Sequence, residues 1–329
     1  MKDPQNDHRL IELTTWVQQV LGSSNVSCAP ASADASFRRY FRFTNGNDTV
    51  IAMDAPPEKE DVRPFLHVTN LMQAAGVHVP SILGEDVGRG YLLLSDLGTQ
   101  TYLDVLDENN ASDLFSAAID ALIKWQLASK GNELPPYDAA LLQRELNLFP
   151  EWYVGKHLKA ELSEQQYQGL HAMLQLIIKR NLAQASVFVH RDYMPRNLMI
   201  SSPSPGVLDF QDAVYGPISY DVASLFRDAF ISWPEERVID WVARYWERAR
   251  QASLPVPEDF GLFYSDVEWM GLQRHLKVLG IFARINYRDG KPKYLGDTPR
   301  FVGYVRHAAE RYDELRPLLK LFDQLDIHT

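Results

Sequence analysis

"FVHRDYMPRNLMI", residues Phe188–Ile200, joins two unlike things. Val187–Val189 and Leu198–Ile200 are short apolar runs of the kind that form buried strands. Between them stand His190, Arg191, Asp192, Arg196 and Asn197, with Pro195. A polar hairpin turn whose Asp and Asn merely bond the backbone is the ordinary meaning of such a loop. Here the spacing is His-x-Asp-x-x-x-x-Asn, and "GVLDFQD" (Gly206–Asp212) follows, with Asp209 closing another short strand. Carboxylate and amide oxygens are hard ligands that suit Mg²⁺, so Asn197 and Asp209 are candidates to hold a metal that bridges nucleotide phosphates. Asp192, not needed for the metal, is the candidate to accept a proton from a substrate hydroxyl. Phosphoryl transfer needs both parts: a base that orients the nucleophile, and a metal that neutralises developing charge.

The rest of the chain is compatible with such chemistry. Its 329 residues are enough for one large domain or two lobes. The net charge of −10 disfavours nonspecific nucleic-acid binding, which rests on a basic surface. No apolar run approaches 18 residues, so no spanning helix is expected. "MKDPQNDHRL" is polar from the start and lacks the apolar stretch of a secretory signal. Cys28 is the single cysteine, which rules out an internal disulfide and a cysteine-cluster zinc site. These features together fit a cytoplasmic protein with no membrane or obligate protein partner.

Periodicity predicts a helix over residues 8–21, ended by Gly22. "ASFRRYFRF" and "TVIAMDA" read as strands of a hairpin turning through Asn45-Gly46. "PEKEDVRPFLHVTNLMQAAG" reads as a helix with Pro56 and Pro57 at its start and Gly76 past its end. "YLLLSDLG" (Tyr91–Gly98) reads as a buried strand running into a turn. Residues 101–185 look mostly helical, with breaks near 131–136 and at Gly155. Short strands follow at 187–189, 198–200 and 206–210, then helices at 219–230, 234–250, 258–287 and 300–322. The expected class is therefore α+β: a sheet-rich N-terminal lobe over 1–98 with one main helix, and a larger helical lobe over 99–329.

"HRDYMPRNLMI", "VLDFQDA" and "YDVASL" resemble the protein-kinase-like superfamily, and more closely its aminoglycoside-phosphotransferase branch. The resemblance covers about residues 25–325 and implies a bilobal kinase-like fold using ATP and Mg²⁺. "SADASFRRYFR", "RELNLFPEWYV" and "QRHLKVLGIFARINYRDGKPKYL" are more specific. They resemble the bacterial anomeric kinases of cell-wall recycling, which phosphorylate N-acetylmuramate and N-acetylglucosamine at C1. By this resemblance Asp192 is the catalytic base, and Asn197 and Asp209 are the magnesium ligands. His190 and Arg191 brace the loop, Asp221 caps a helix and braces it too, and Ser95–Leu97 matches the linker whose backbone binds adenine. Two departures stand out. The lysine of a "VAIK" strand is replaced by Met53 in "VIAM", and "SADASFRRY" lacks the glycines of a phosphate lid. Ser36, Arg38, Arg39 and Arg42 are the donors available instead. On a strand Arg38 and Arg42 share one face and Arg39 the other.

On the acceptor side, Arg274, Lys277, Ile281, Arg284 and Arg288 fall on a helical stripe about 80° wide. A cationic helix face is ordinarily solvated. The functional alternative is that one or two of these cations, Arg274 and Arg284 foremost, meet an anionic acceptor such as the lactyl carboxylate of N-acetylmuramate. Glu145 and Trp152, beside Tyr153, offer a carboxylate and rings for a sugar, and Asp212 is either a substrate contact or a turn residue. An aminoglycoside or other small-alcohol phosphotransferase is the nearest rival, but polycations would favour an acidic pocket. A nucleotide-binding pseudokinase is the rival from another class. It would lack the base or a metal ligand, and all three residues are here.

Overall fold

The computed structural model describes residues 7–32 and 37–328. In chain order, α1 (His8–Leu21) leads into β1 (Ser27–Ser32), β2 (Arg39–Asn45) and β3 (Asp48–Asp54). Then come α2 (Arg63–Ala74), β4 (Ile82–Asp86) and β5 (Tyr91–Ser95). The helical part holds α3 (Tyr102–Val105), α4 (Ala111–Leu127), α5 (Ala139–Leu146), a π-helical stretch Phe149–His157, and α6 (Glu164–Leu182). Four short strands interrupt it: β6 (Ser186–Val189), β7 (Leu198–Met199), β8 (Gly206–Val207) and β9 (Val214–Pro217). The chain continues through α7 (Tyr220–Phe226), α8 (Glu235–Gln251), α9 (Phe260–Asp289), α10 (Thr298–Arg311) and α11 (Arg316–Gln324).

Two compact units result. One runs to Tyr102 and takes in Asn197–Asp212; the other comprises Leu103–Arg196 and the chain from Ala213 onward. A boundary drawn by sequence near residue 98 does not include that return of the β7–β8 hairpin. Backbone hydrogen bonds explain it: Ile200 N–H donates to Gln100 O at 2.9 Å, and Val207 N–H to His78 O at 2.7 Å.

The first unit is built on an antiparallel sheet of order β1-β2-β3-β5-β4. The β2–β3 turn comes where Asn45-Gly46 predicts it, Gly46 taking the left-handed φ of 64° that a two-residue loop requires. Alternation then sorts the faces. Phe41, Ala52 and Leu93 lie side by side across the sheet and pack with Phe43 and Tyr91 against Leu13, Trp16 and Val17 of α1. Arg39 shares that face, where it and Arg9 of α1 both bond Asp54. Arg42 lies on the other face. The helix expected from Pro56 starts instead at Arg63, with Pro64 in its first turn. A proline there cannot sit inside a helix begun earlier, because it lacks the N–H and its ring would strike the preceding turn. β1, β4 and β9 were not foreseen.

The second unit is organised around α9, whose 30 residues span about 45 Å. Asp259 accepts from Leu262 N–H at its start, and Gly290, φ 67°, closes its end. The break expected at Gly155 is a π-helical winding instead. Its missing Cβ would stand 3.3 Å from Pro150 O, so glycine here serves close approach rather than termination. The helix expected over 300–322 divides into α10 and α11 because Pro317 can start a helix but not continue one. Among the described residues no helix is long and apolar enough to cross a membrane.

Gly280 marks where α9 is packed most closely. A Cβ there would come within 2.3 Å of the Leu148 backbone, whereas at Gly271 the nearest neighbour, the His275 ring, stands 3.4 Å away. Gly280→Ala is therefore expected to lower unfolding free energy by roughly 1–3 kcal/mol. Gly271→Ala should be neutral or stabilising by up to about 1 kcal/mol. Urea denaturation of both variants checks the pair.

Candidate active site

The loop after β6 is pinned through its backbone, within the helical unit. Val187–Val189 are buried and hand the chain to His190, itself fully buried. The Asp221 carboxylate, at the start of α7, accepts from His190 N–H at 2.7 Å and from Arg191 N–H at 3.0 Å. Asp221 is thus a loop brace, and Ser219 holds the cap position. Burial raises the Asp221 carboxyl to about 7, with the two N–H groups and Arg274 pulling the other way. Arg191 sits at φ 75°, left-handed backbone that a non-glycine residue adopts at a cost of about 1–3 kcal/mol. Next, Asp192 N–H donates to His190 Nδ1 at 3.2 Å, and Tyr193 Oη donates to Ala118 O at 2.8 Å. Asp192, half-buried, is held from both sides.

What holds Arg191 is Glu145, on α5. Arg191 Nη2 and Lys277 Nζ lie 2.6 and 2.8 Å from Glu145 Oε1. Gln273 Nε2 donates to Oε2 at 3.0 Å, and Tyr137 Oη donates there too. Lys277 also donates to Tyr220 Oη at 3.1 Å. Burial alone would raise the Glu145 carboxyl; Lys277 and Arg191 outweigh it and hold the group at about 2. Glu145 is 5% exposed and Lys277 9%. Both belong to an internal network, where the sequence suggested a sugar contact and a solvated stripe. The stripe divides further. Arg274 is buried, Arg284 is half-buried, and Arg288 bonds its neighbour Asp289 at 2.7 Å. Ten residues separate Arg274 from Arg284, about 15 Å along α9, so one carboxylate cannot meet both. Trp152 is half-buried within the π-helical stretch.

The first unit holds the expected metal ligands. The β7–β8 hairpin pairs Leu198 with Val207, and Leu208 N–H donates to Asn197 O at 2.9 Å. Asn197 and Asp209 therefore emerge at the same end. Phe210 anchors the segment on Phe65 of α2, ring centroids 4.8 Å apart, and Asp209 adopts φ 62°, the second strained non-glycine of the site. Gln211 Nε2 donates to Asp209 Oδ1 at 3.0 Å, while the buried Gln211 Oε1 has no hydrogen-bond partner among the described residues. Two hard oxygen donors fit Mg²⁺, which completes its shell with phosphate and water. Among the described residues no cluster of three or more His, Cys, Asp and Glu forms a cation cage, and Mg²⁺ does not require one. Asp212 is exposed, 3.4 Å from Gln211 Nε2.

Of the expected nucleotide residues, Arg38 approaches Asp209 Oδ1 at 3.9 Å. Arg42 is committed to Asp96, at 2.5 Å, and to Gly98 O, which ties β2 to the end of β5. Ser95 Oγ accepts from Ser81 N–H at 2.8 Å, and Leu97 packs where Gly206 leaves no room for a Cβ. Ser36 lies outside the described residues. Met53, in place of a strand lysine, is fully buried.

Residues 27–259 match the model of the phosphotransferase enzyme family. The chain belongs to that family. It is 52% identical, over 97% of its length and 98% of the relative's, to the N-acetylmuramate/N-acetylglucosamine kinase of Pseudomonas aeruginosa. It is 51% identical, over 98% of each chain, to the kinase of the same name from Pseudomonas putida. Among solved structures it resembles choline kinase from Cryptosporidium parvum, TM-score 0.61, 12% identity, covering 91% and 94% of the two chains. It also resembles the ADP-bound aminoglycoside phosphotransferase APH(2'')-Ib, TM-score 0.60, 11% identity, covering 90% and 98%. The protein is a phosphotransferase with a protein-kinase-like fold.

The Glu145 network yields a stability prediction. Lys277→Met removes one of the two cations on Glu145 and leaves Arg191 in place, so it should destabilise the protein in urea denaturation at pH 7 by less than the roughly 3–5 kcal/mol of a buried charge left wholly unpaired. The Glu145 carboxyl, depressed from 4.5, contributes fully above pH 4.5, and that contribution is lost as pH falls through about 2. The wild type's stability advantage over Glu145→Gln should therefore shrink between those values. Urea midpoints measured at pH 7 and pH 3 read the change.

Proposed function

We propose that this phosphotransferase moves the γ-phosphoryl group of ATP to the C1 hydroxyl of N-acetylmuramate and N-acetylglucosamine, a step in peptidoglycan recycling. The carrying observation is the 52% identity, along nearly the whole chain, to a kinase named for those two sugars. A C1 hydroxyl also suits a carboxylate base. The ring oxygen withdraws electron density and makes the anomeric hydroxyl more acidic than an ordinary alcohol, so the base has less work to do.

In this reading Asp192 accepts the proton of the C1 hydroxyl. The O1–Pγ bond forms, the bond from Pγ to the β,γ-bridging oxygen breaks, and ADP leaves with those electrons. Asp221 and the Glu145–Arg191 pair keep the Asp192 backbone in place, so its carboxylate needs little reorganisation as charge develops. Asn197 and Asp209 would hold Mg²⁺, which when bound neutralises phosphate charge. Arg38, close to Asp209, is the cation available near those phosphates in the absence of a strand lysine, and the Ser95–Leu97 segment offers its backbone to adenine.

Incubation with ATP, Mg²⁺ and a panel of amino sugars, followed by phosphorus–proton NMR, tests this. The expected product carries its phosphate on C1 and shows a coupling to H1. Phosphate on C6, or transfer to aminoglycosides in preference to either sugar, would overturn it. Asp209→Ala should raise the Mg²⁺ concentration for half-maximal rate more than Asn197→Ala does, because a carboxylate supplies charge and an amide does not. Titration of Mg²⁺ in both variants reads the order.

A further inference from the structure

The two sugars differ by a lactyl ether that carries a carboxylate, and the helical unit holds a buried guanidinium that stands out among the described residues. Arg274 is 3% exposed, and its buried Nη1 has no hydrogen-bond partner among the described residues. Its Nη2 meets nothing better than the Met194 thioether, at 3.6 Å. Half-buried Arg191 and buried Lys277 each bond Glu145. A guanidinium has five donors, and burying them without an acceptor is costly. Such an arrangement is retained where something else supplies the acceptor.

The place is informative. Met194 stands two residues after Asp192, so the Arg274 guanidinium lies against the loop that carries the candidate base. Met194 is half-buried and unbranched, and a thioether yields readily to a better partner. Asp228 follows α7, 1% exposed; one oxygen accepts from Phe230 N–H at 3.3 Å and the other, buried, has no hydrogen-bond partner among the described residues. Arg300 of α10 bonds Ala229 O, which fixes this segment. Burial raises the Asp228 carboxyl, and Arg274 opposes that rise, as it does for Asp221. Arg274 and Asp228 each keep a buried polar atom without a hydrogen-bond partner among the described residues.

We propose, resting on the amino-sugar reading above, that Arg274 is the specificity-determining residue of the acceptor site and that Asp228 is a further acceptor-binding residue. Arg274 takes the lactyl carboxylate of N-acetylmuramate as Met194 swings aside. Asp228 accepts a hydroxyl or amide hydrogen that both sugars carry. A charge-assisted bond to the carboxylate is made with one sugar and not with the other, so Arg274 sets the ratio between them.

The experiment is kcat/KM for both sugars with wild type, Arg274→Met, Arg274→Lys and Asp228→Asn. Arg274→Met should lower N-acetylmuramate by about 10–100-fold more than N-acetylglucosamine, chiefly through KM. Arg274→Lys should restore part of that ratio, since it keeps the charge and loses the planar fork. Asp228→Asn should lower both sugars alike. Should Arg274→Met fail to fold, Arg274→Lys carries the test through its own ratio. Equal losses for both sugars in every folded Arg274 variant would show a packing role and overturn the proposal. A wild type that phosphorylates neither sugar would instead overturn the functional reading beneath it.

Discussion

A carboxylate taken out of water must be paired, and Glu145 meets that demand with two cations rather than one. Arg191 and Lys277 converge on the same oxygen, and Gln273 and Tyr137 satisfy the other. The three charges come from α5, the loop after β6, and α9, so the ion cluster links elements far apart in sequence. Removing Glu145 would leave two cations without their shared carboxylate, so the cluster holds its three elements together. That hold has a use. Arg191 is held in left-handed backbone, and Asp192 follows it immediately. Asp221 reinforces the same turn from the other side through two backbone N–H groups. The loop is therefore shaped before any ligand arrives.

The sheet-rich unit solves a different problem. A strand lysine is the usual grip on nucleotide phosphates in protein kinases. Here Met53 fills its place as a fully buried apolar residue, and charge near the candidate metal ligands comes from Arg38. The other two arginines of the stretch are structural. Arg39 joins Arg9 on Asp54, and Arg42 closes on Asp96 and Gly98 O. Asp209 shares with Arg191 a positive φ, the second place where the backbone is strained beside the expected chemistry.

The position of the candidate catalytic loop between two short strands is legible in the sequence because its signal is local. His190, Asp192, Asn197 and Asp209 stand at fixed spacings between apolar runs, and chain geometry does the rest. The Asn45-Gly46 hairpin and the caps of α9 were legible for the same reason. Tertiary partners were not. Lys277 reads as part of a solvated stripe, since charge ordinarily means exposure; only the fold brings Glu145 to it, 132 positions away. Asp228 carries no sequence signal at all. β4, "ILGED", hides because glycine and two acids mask its alternation. α2 was begun too early because Pro56-Pro57 looks like a helix start, while the usable proline is Pro64.

In the proposed mechanism the chemistry turns on Asp192, and that role separates cleanly from binding. The decisive measurement is kcat for Asp192→Asn at saturating N-acetylglucosamine, beside the Kd of the same variant for ATP with Mg²⁺. Asparagine keeps the shape and loses the proton acceptor. A fall in kcat of roughly 10²–10⁴-fold, with Kd changed by no more than a few-fold, is the expected result. Turnover within a few-fold of wild type would contradict Asp192 as the base.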